Sequence, residues 1–314
     1  MVAMANRKAV DLLVGHMSKS TRTMSRTFRA YEPDERVANF SLSYLDAFGY
    51  LKNELEKWKD ITLGDIVEAV KDFQGMFGLR KSGQVCVKTV RAMEMPRCGC
   101  PDHVRPWQNY AAVRNFARAN LAKWQKDNLK YGIQDYLPGL SKPDFESIIY
   151  QSFQAWCRYG HVQVEPVRMN ERPDIIIATG RGRQSNFDGP GGTLAWAYLP
   201  NGNDQQLTMK FDLDETWTQD PTMRGVLLDA VAKHEFGHLF GLDHSRVQQA
   251  LMAAYYNPAV RNPQQNDDIP RFQARYGVKQ PGDDGGTTPP PSGNNRRLIL
   301  EGVFSATLDG QKVA

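Results

Sequence analysis

Between residues 37 and 59 apolar side chains return every three or four positions: Phe40, Tyr44, Leu45, Phe48, Leu51, Leu55 and Trp58. That is the period of a helix with one buried face, and Gly49 in its middle predicts a break into two helices. Ile66, Val67, Val70, Phe73 and Phe77 repeat the pattern over 63–77, with Gly78 placed to end the helix. Val85, Val87, Val90 and Met93 predict a further helix over 84–93. Together these segments form a small helical module ending at Met95-Pro96, with its aromatic and methionine side chains as core. Pro96, Gly99 and Pro101 then exclude a helix and favour an extended, turned stretch.

After residue 129 the period shortens. Runs at 131–136, 162–167, 174–179, 194–199 and 207–213 read as strands. Phe145, Ile148, Ile149, Phe153 and Trp156 predict a helix over 144–156. Asp220 followed by Pro221 reads as an N-cap and first helical residue, opening a long helix that runs to Phe240. Asn266-Asp267-Asp268 caps a last helix that closes at Tyr276-Gly277. The expected organisation is a basic tail (1–36), the helical module with its turn (37–102), a basic, partly helical connector (103–126) with a candidate helix at 111–124, and an α+β domain (127–277). A Pro/Gly linker (278–295) leads to the start of an incomplete C-terminal segment (296–314), with a strand pair around Asp309-Gly310.

A chain of 314 residues has room for roughly two domains with real cores. No apolar run nears the ~20 residues of a membrane span. A net charge of +4, spread along the chain, gives nucleic-acid binding no support. Four cysteines (Cys86, Cys98, Cys100 and Cys157) are too few for a disulfide scaffold, and their pairing is not readable. The stretch 10–14 is too short for the apolar centre of a signal peptide.

The chemistry concentrates in residues 234–244, which read H-E-x-x-H-x-x-G-x-x-H. On a helix His234 and His238 share one face and can grip one metal ion. Gly241 can take the backbone turn that brings His244 back to the same ion. Three histidines leave a fourth position open for water, as in a catalytic zinc, and Glu235 falls where a general base would stand.

Through these residues and the motifs around them, the chain resembles a matrixin, a zymogen of the matrix-metalloproteinase type, over about residues 37–277. Pro96-Arg97-Cys98-Gly99-Cys100-Pro101-Asp102 resembles that family's cysteine switch, His244-Ser245 its last ligand and following serine, and Ala250-Leu251-Met252 its Met turn. Residues 187–192 and 211–217 resemble its calcium-binding segments, and the helical module its propeptide, itself similar to peptidoglycan-binding modules. The resemblance implies a metzincin α+β catalytic domain, with a twisted, mostly parallel five-stranded sheet and three helices, behind a small three-helix propeptide. It implies a latent zinc endopeptidase in which Glu235 activates a water held by the metal and Cys98 blocks the metal until the propeptide is cut away. Arg97 is expected to pair with Asp102. One catalytic zinc is implied, and at least one calcium held by Asp188, Asp212 and Glu215 with the backbone of Gly189, Gly191 and Thr193. Leu194 and Ala195 match the strand edge that pairs with substrate, and Tyr256 a wall of the specificity pocket, for which a medium or large apolar side chain is expected. Met252 is expected to be structural. Protein or peptide substrates, an activating protease or autoprocessing, and a secreted or cell-surface location follow from the same likeness.

The chain also departs from that pattern. The positions of a second, structural zinc hold Arg181, Arg183, Trp196 and Lys210, so that zinc is expected to be absent. Cys100 stands where an apolar residue is usual. This leaves open a redox side reaction that disables the switch; a Cys98–Cys100 disulfide and an inertly packed Cys98 are the alternatives to the switch, which the matching residues around Cys98 favour. A different class of function, residues 37–95 anchoring the chain to a cell wall or matrix, is the competing reading. A dead peptidase scaffold is disfavoured by the presence of Glu235 and all three ligands.

Overall fold

The computed structural model describes residues 7–17, 33–51, 61–103, 123–200 and 202–279. Its contacts group the chain into 1–283 and 284–314. The second group lies outside the described residues, as do the expected helix at 111–124, except its last two positions, and the strand pair around Asp309-Gly310.

Among the described residues four helices build the N-terminal part: α1 (Arg7–His16), α2 (Pro33–Ala47), α3 (Leu63–Met76) and α4 (Val87–Met93). The stretch read as a basic tail thus contributes a helix. Ala9, Val10, Leu13 and Met17 are buried in one core with Leu42, Leu45, Val70 and Phe73. Their spacing is helical, but the basic residues around them hid it. Arg7 stays on the exposed face and pairs with Asp11 and Glu35. A capping box of Thr62 and Asp65 starts α3, each side chain accepting from the other's backbone N–H. This core also takes in Ala254, and Phe77 packs on Tyr255 at 5.7 Å, so the helical part is seated on the chain's other half.

The strands are β1 (Arg97–Cys98), β2 (Asn128–Ile133), β3 (Gln163–Pro166), β4 (Ile175–Gly180), β5 (Thr193–Ala197) and β6 (Leu207–Asp212). They form a six-stranded sheet in the order β1-β5-β6-β4-β2-β3. Only β5 against β6 is antiparallel. Five strands come from the α+β domain, and the sixth, β1, comes from the turned segment after the helical part. Every residue of β5 is buried, which fits a strand covered on its outer edge as well as on its faces. A second pair, β7 (Trp217–Thr218) and β8 (Val226–Leu227), is parallel.

Helices α5 (Lys142–Cys157), α6 (Leu228–Leu239) and α7 (Asp268–Tyr276) complete the domain. Helix α6 does not begin at Asp220-Pro221. There Asp220 accepts from the backbone and hydroxyl of Thr222 in a local turn, and residues 226–227 are drawn into β8 before the helix can start. Its opening turn carries Asp229, paired with Lys233 four residues on, which suits the helix dipole. Helix α6 is buried nearly all round. Phe153 of α5 stacks on Phe236 at 3.7 Å, and Phe272 of α7 packs on both Trp156 and Phe240.

Gly237 is required by this packing. A Cβ there would lie 2.2 Å from the Met252 sulfur and 3.0 Å from the Trp156 ring. Gly237→Ala should therefore destabilise by about 1–3 kcal/mol, as overpacking does, measured as a lower urea midpoint with an unchanged slope.

Candidate metal centre

Helix α6 delivers His234 and His238 from its last two turns and ends on Gly241, whose φ is +91°. The N–H of Leu242 bonds the carbonyl of Gly237, and the N–H of Gly241 bonds that of His238. This is the glycine-ended helix stop that reverses the chain, and it returns His244 to the same place.

The Nδ1–H of His234 donates to the Leu251 carbonyl at 2.7 Å, and that of His238 to the Leu242 carbonyl at 2.7 Å. His244 Nδ1 donates to Asp102 Oδ1 at 2.6 Å. Because each acceptor claims the proton on Nδ1, each Nε2 presents a lone pair to the centre. His238 Nε2 lies 3.2 Å from His244 Nε2 and 3.4 Å from Cys98 Sγ. The ligand atoms of Cys98, His234, His238 and His244 all lie within 4.8 Å of one another and all four residues are buried.

Burial and the neighbouring imidazoles push His234 well below the usual histidine range, and burial lowers His244 against the pull of Asp102. Burial would lower His238 too, but the Cys100 sulfur and Glu235 beside it outweigh this and push it up to about 9; a metal needs the neutral imidazole and displaces that proton on binding. His234 Nε2 and both oxygens of Glu235 are buried without a hydrogen-bond partner. Converging lone pairs and unpartnered buried acceptors are costly unless a cation sits among them, so the donor set fits zinc. The protein groups alone push the Cys98 thiol up, burial first and then Cys100 and Glu235. A dication held by the imidazoles is the charge that reverses this. Burial, with the Cys100 sulfur beside it, pushes Glu235 up to about 8.

Cys98 reaches the centre on β1, which runs parallel to β5. Arg97 N donates to Gly192 O at 3.0 Å and Gly99 N to Ala195 O at 2.8 Å. On the other side Cys98 N donates to Ala254 O at 3.1 Å, and Tyr256 N donates to Pro96 O at 2.8 Å. The segment therefore lies in the groove between the β5 edge and residues 254–256. Beneath it a cavity of about 30 Å³ opens beside Glu235, lined by Leu194, Val231, Leu251, Ala254, Tyr256 and Val260. Tyr256 Oη accepts from Leu227 N at 2.9 Å, which fixes this wall to the start of α6.

Arg97 is buried with its guanidinium 3.5 Å over the Phe48 ring. It donates to Asp102 at 2.7 and 3.1 Å, to Tyr44 and to the Cys98 carbonyl. Burial alone would raise Asp102, but Arg97 and His244 outweigh it and hold the carboxyl well below the usual range. All four cysteines are free thiols, and Cys100 donates to the Ala197 carbonyl at 3.2 Å.

Two features of the site escaped the sequence. Asp268, read as part of a cap, instead turns its carboxylate inward, accepting from Leu251 N at 2.7 Å, Met252 N at 3.2 Å and Gln264 N at 2.8 Å. It holds the turn that packs Met252 against Gly237 of α6 and positions the carbonyl paired with His234. Trp124, at the end of the connector, is buried and donates to the last carbonyl of α6, Leu239 O, at 2.8 Å.

The loop carboxylates are less concentrated. Asp188 Oδ1 accepts from Thr193 N at 2.8 Å, Glu215 Oε1 from Gly191 N at 2.5 Å and Asp212 Oδ1 from Asp214 N at 2.9 Å. Asp212 Oδ2 is buried and unpartnered. Burial, and then the neighbouring carboxylates, raise both Asp212 and Glu215. Their oxygens do not all meet within 4.8 Å; among the described residues both groups that do lie at the histidine centre. At the positions expected to lack a zinc, Arg181 pairs with Asp214 at 2.9 Å, the Trp196 indole donates to Ser185 O at 2.8 Å, and Lys210 lies over the Trp196 ring.

Fold and centre together define a metalloprotein with a three-histidine site of catalytic type, covered by its own N-terminal chain. Residues 123–277 match the matrixin family model. The chain is 37% identical to matrix metalloproteinase-19 of Mus musculus over 82% of its own length and 47% of that protein's. It is 36% identical to interstitial collagenase of Equus caballus (79% and 51%) and 38% identical to matrix metalloproteinase-18 of Xenopus laevis (67% and 43%). The chain belongs to the matrixin family of zinc metalloendopeptidases. It spans about half the length of the curated relatives it matches.

Proposed function

We propose that the chain is a latent zinc endopeptidase that cleaves peptide bonds in proteins once the N-terminal part through Asp102 has been removed by a cut in the connector 103–126. The observation that carries this reading is the convergence of three tautomer-fixed imidazoles with Cys98 beside an unpartnered Glu235. His234, His238 and His244 would hold the zinc, which supplies polarisation of the scissile carbonyl and acidification of water. Glu235 then takes the proton of the attacking water and passes it to the leaving nitrogen. Leu194 and Ala195 hold an extended peptide along the β5 edge that β1 covers in this form. The cavity wall of alanine, valine and Tyr256 receives an apolar side chain; profiling that favoured a charged residue just after the cut would remove this assignment. Limited proteolysis with mass spectrometry tests the whole reading: casein-cleaving activity should appear together with a new terminus between Asp102 and residue 128, and activity without such a cut would refute it.

Calcium is part of the proposal. Asp188, Asp212 and Glu215, with the backbone of Gly189, Gly191 and Thr193, are the ligands, and the raised carboxyls and the unpartnered Asp212 oxygen support it. Calcium at 100 times its Kd should add about 2.7 kcal/mol of stability. Thermal unfolding should show this as a Tm rise that Asp212→Asn removes. For the second zinc, the contacts of Arg181 and Trp196 take over the tethering of this loop. Elemental analysis should give one zinc per chain, and two would contradict it.

A secreted or cell-surface location is proposed from the family resemblance; no described helix is long and apolar enough to cross a membrane.

A further inference from the structure

The three zinc-facing histidines are not anchored alike. His234 and His238 give their Nδ1 protons to Leu251 O and Leu242 O, carbonyls of the domain that carries them. His244 gives its proton to Asp102 Oδ1 at 2.6 Å, and Asp102 belongs to the segment that activation would remove. Both side chains are fully buried. Asp102 is itself clamped, by Arg97 at 2.7 and 3.1 Å and by the Tyr50 hydroxyl on Oδ2.

We infer that Asp102 is a positioning residue for the metal site, so that the propeptide strengthens the hold on the zinc whose chemistry it blocks. A carboxylate behind a ligating imidazole fixes the tautomer and ring orientation and makes Nε2 a better donor than a carbonyl partner does; losing such a partner costs 10- to 100-fold in metal affinity. The latent chain then grips zinc through Cys98 and through a better-oriented His244. The cut enzyme loses both contributions and should release zinc more readily. This inference rests on the proposed zinc site.

The test uses the full chain and reads metal retention. Zinc affinity is measured by competition with a chromophoric chelator for the wild-type, Asp102→Ala, Cys98→Ser and Cys98→Ser/Asp102→Ala chains. Asp102→Ala should weaken zinc binding about 10- to 100-fold in both backgrounds, because its effect runs through His244. An equal affinity with and without Asp102, or a loss seen only when Cys98 is present, would overturn the inference; the second result would mean that Asp102 acts only by placing Cys98. Asp102→Asn keeps an acceptor oxygen, is the stand-in should the alanine variant misfold, and should retain part of the affinity. In the zinc-loaded chain the His244 Nδ1–H resonance should shift on substitution while those of His234 and His238 stay in place; movement of all three alike would indicate a general disturbance and reject a positioning role. A wild-type chain that took up no zinc would remove the zinc reading itself, and this inference with it.

Discussion

Cys98→Ser is expected to make the uncut chain an active protease, but only partly. Serine cannot supply the thiolate that competes with water for the fourth position, so the largest single contribution to latency disappears. The rest of the obstruction survives, because Arg97 N and Gly99 N still bond the β5 edge, Cys98 N is replaced by an equivalent serine N–H facing Ala254 O, and the Arg97–Asp102 pair is untouched. Loss of about 1.4–2.8 kcal/mol of closed-state preference corresponds to about 10- to 100-fold more activity. Hydrolysis of a quenched peptide by intact Cys98→Ser should therefore exceed that of the intact wild type by this factor and stay below that of the cut enzyme. An unchanged rate would mean that the groove pairing alone suffices, or that Cys100 stands in.

Glu235→Gln should have the larger effect on catalysis and almost none on the fold. Glu235 is the one carboxylate within the clustered ligand groups of the described residues, Asp102 standing behind His244, and its oxygens carry no hydrogen bond that the fold would lose. A glutamine of the same shape binds substrate but takes no proton, so kcat should fall about 10²–10⁴-fold with KM little changed. The measurement belongs in the Cys98→Ser background or after the connector is cut, where there is activity to lose. Zinc content and urea midpoint should match the parent. A variant that kept its rate would remove Glu235 from the mechanism.

Much of the site could be read from the sequence because it is encoded locally. His234, Glu235, His238, Gly241 and His244 lie within eleven residues, and helix geometry with one glycine turn converts that spacing into a shared centre. The strands at 174–179 and 207–213 were legible from their β-branched and apolar runs, and they appear as Ile175–Gly180 and Leu207–Asp212. What escaped depends on partners distant in the chain. Helix α1 has its apolar positions at helical spacing among basic residues, and what buries Val10 and Leu13 is the packing of α2 and α3. The start of α6 is delayed by pairing with residues 217–218. Asp268 serves a turn some sixteen residues before it, Gly237 makes room for Met252, and Asp102 meets His244 across 142 positions. No local pattern carries such contacts.

In the proposed mechanism Cys98 sits on the catalytic metal in the intact chain and leaves it on activation. Cobalt exchanged for zinc makes that bond visible, since a thiolate on cobalt gives a near-ultraviolet charge-transfer band that imidazoles do not. Followed during limited proteolysis, the band should be present in the intact chain, absent from Cys98→Ser, and lost in step with the rise of peptidase activity as residues 103–126 are cut. An intact cobalt-loaded chain without the band, or full activity while the band persists, would contradict the account.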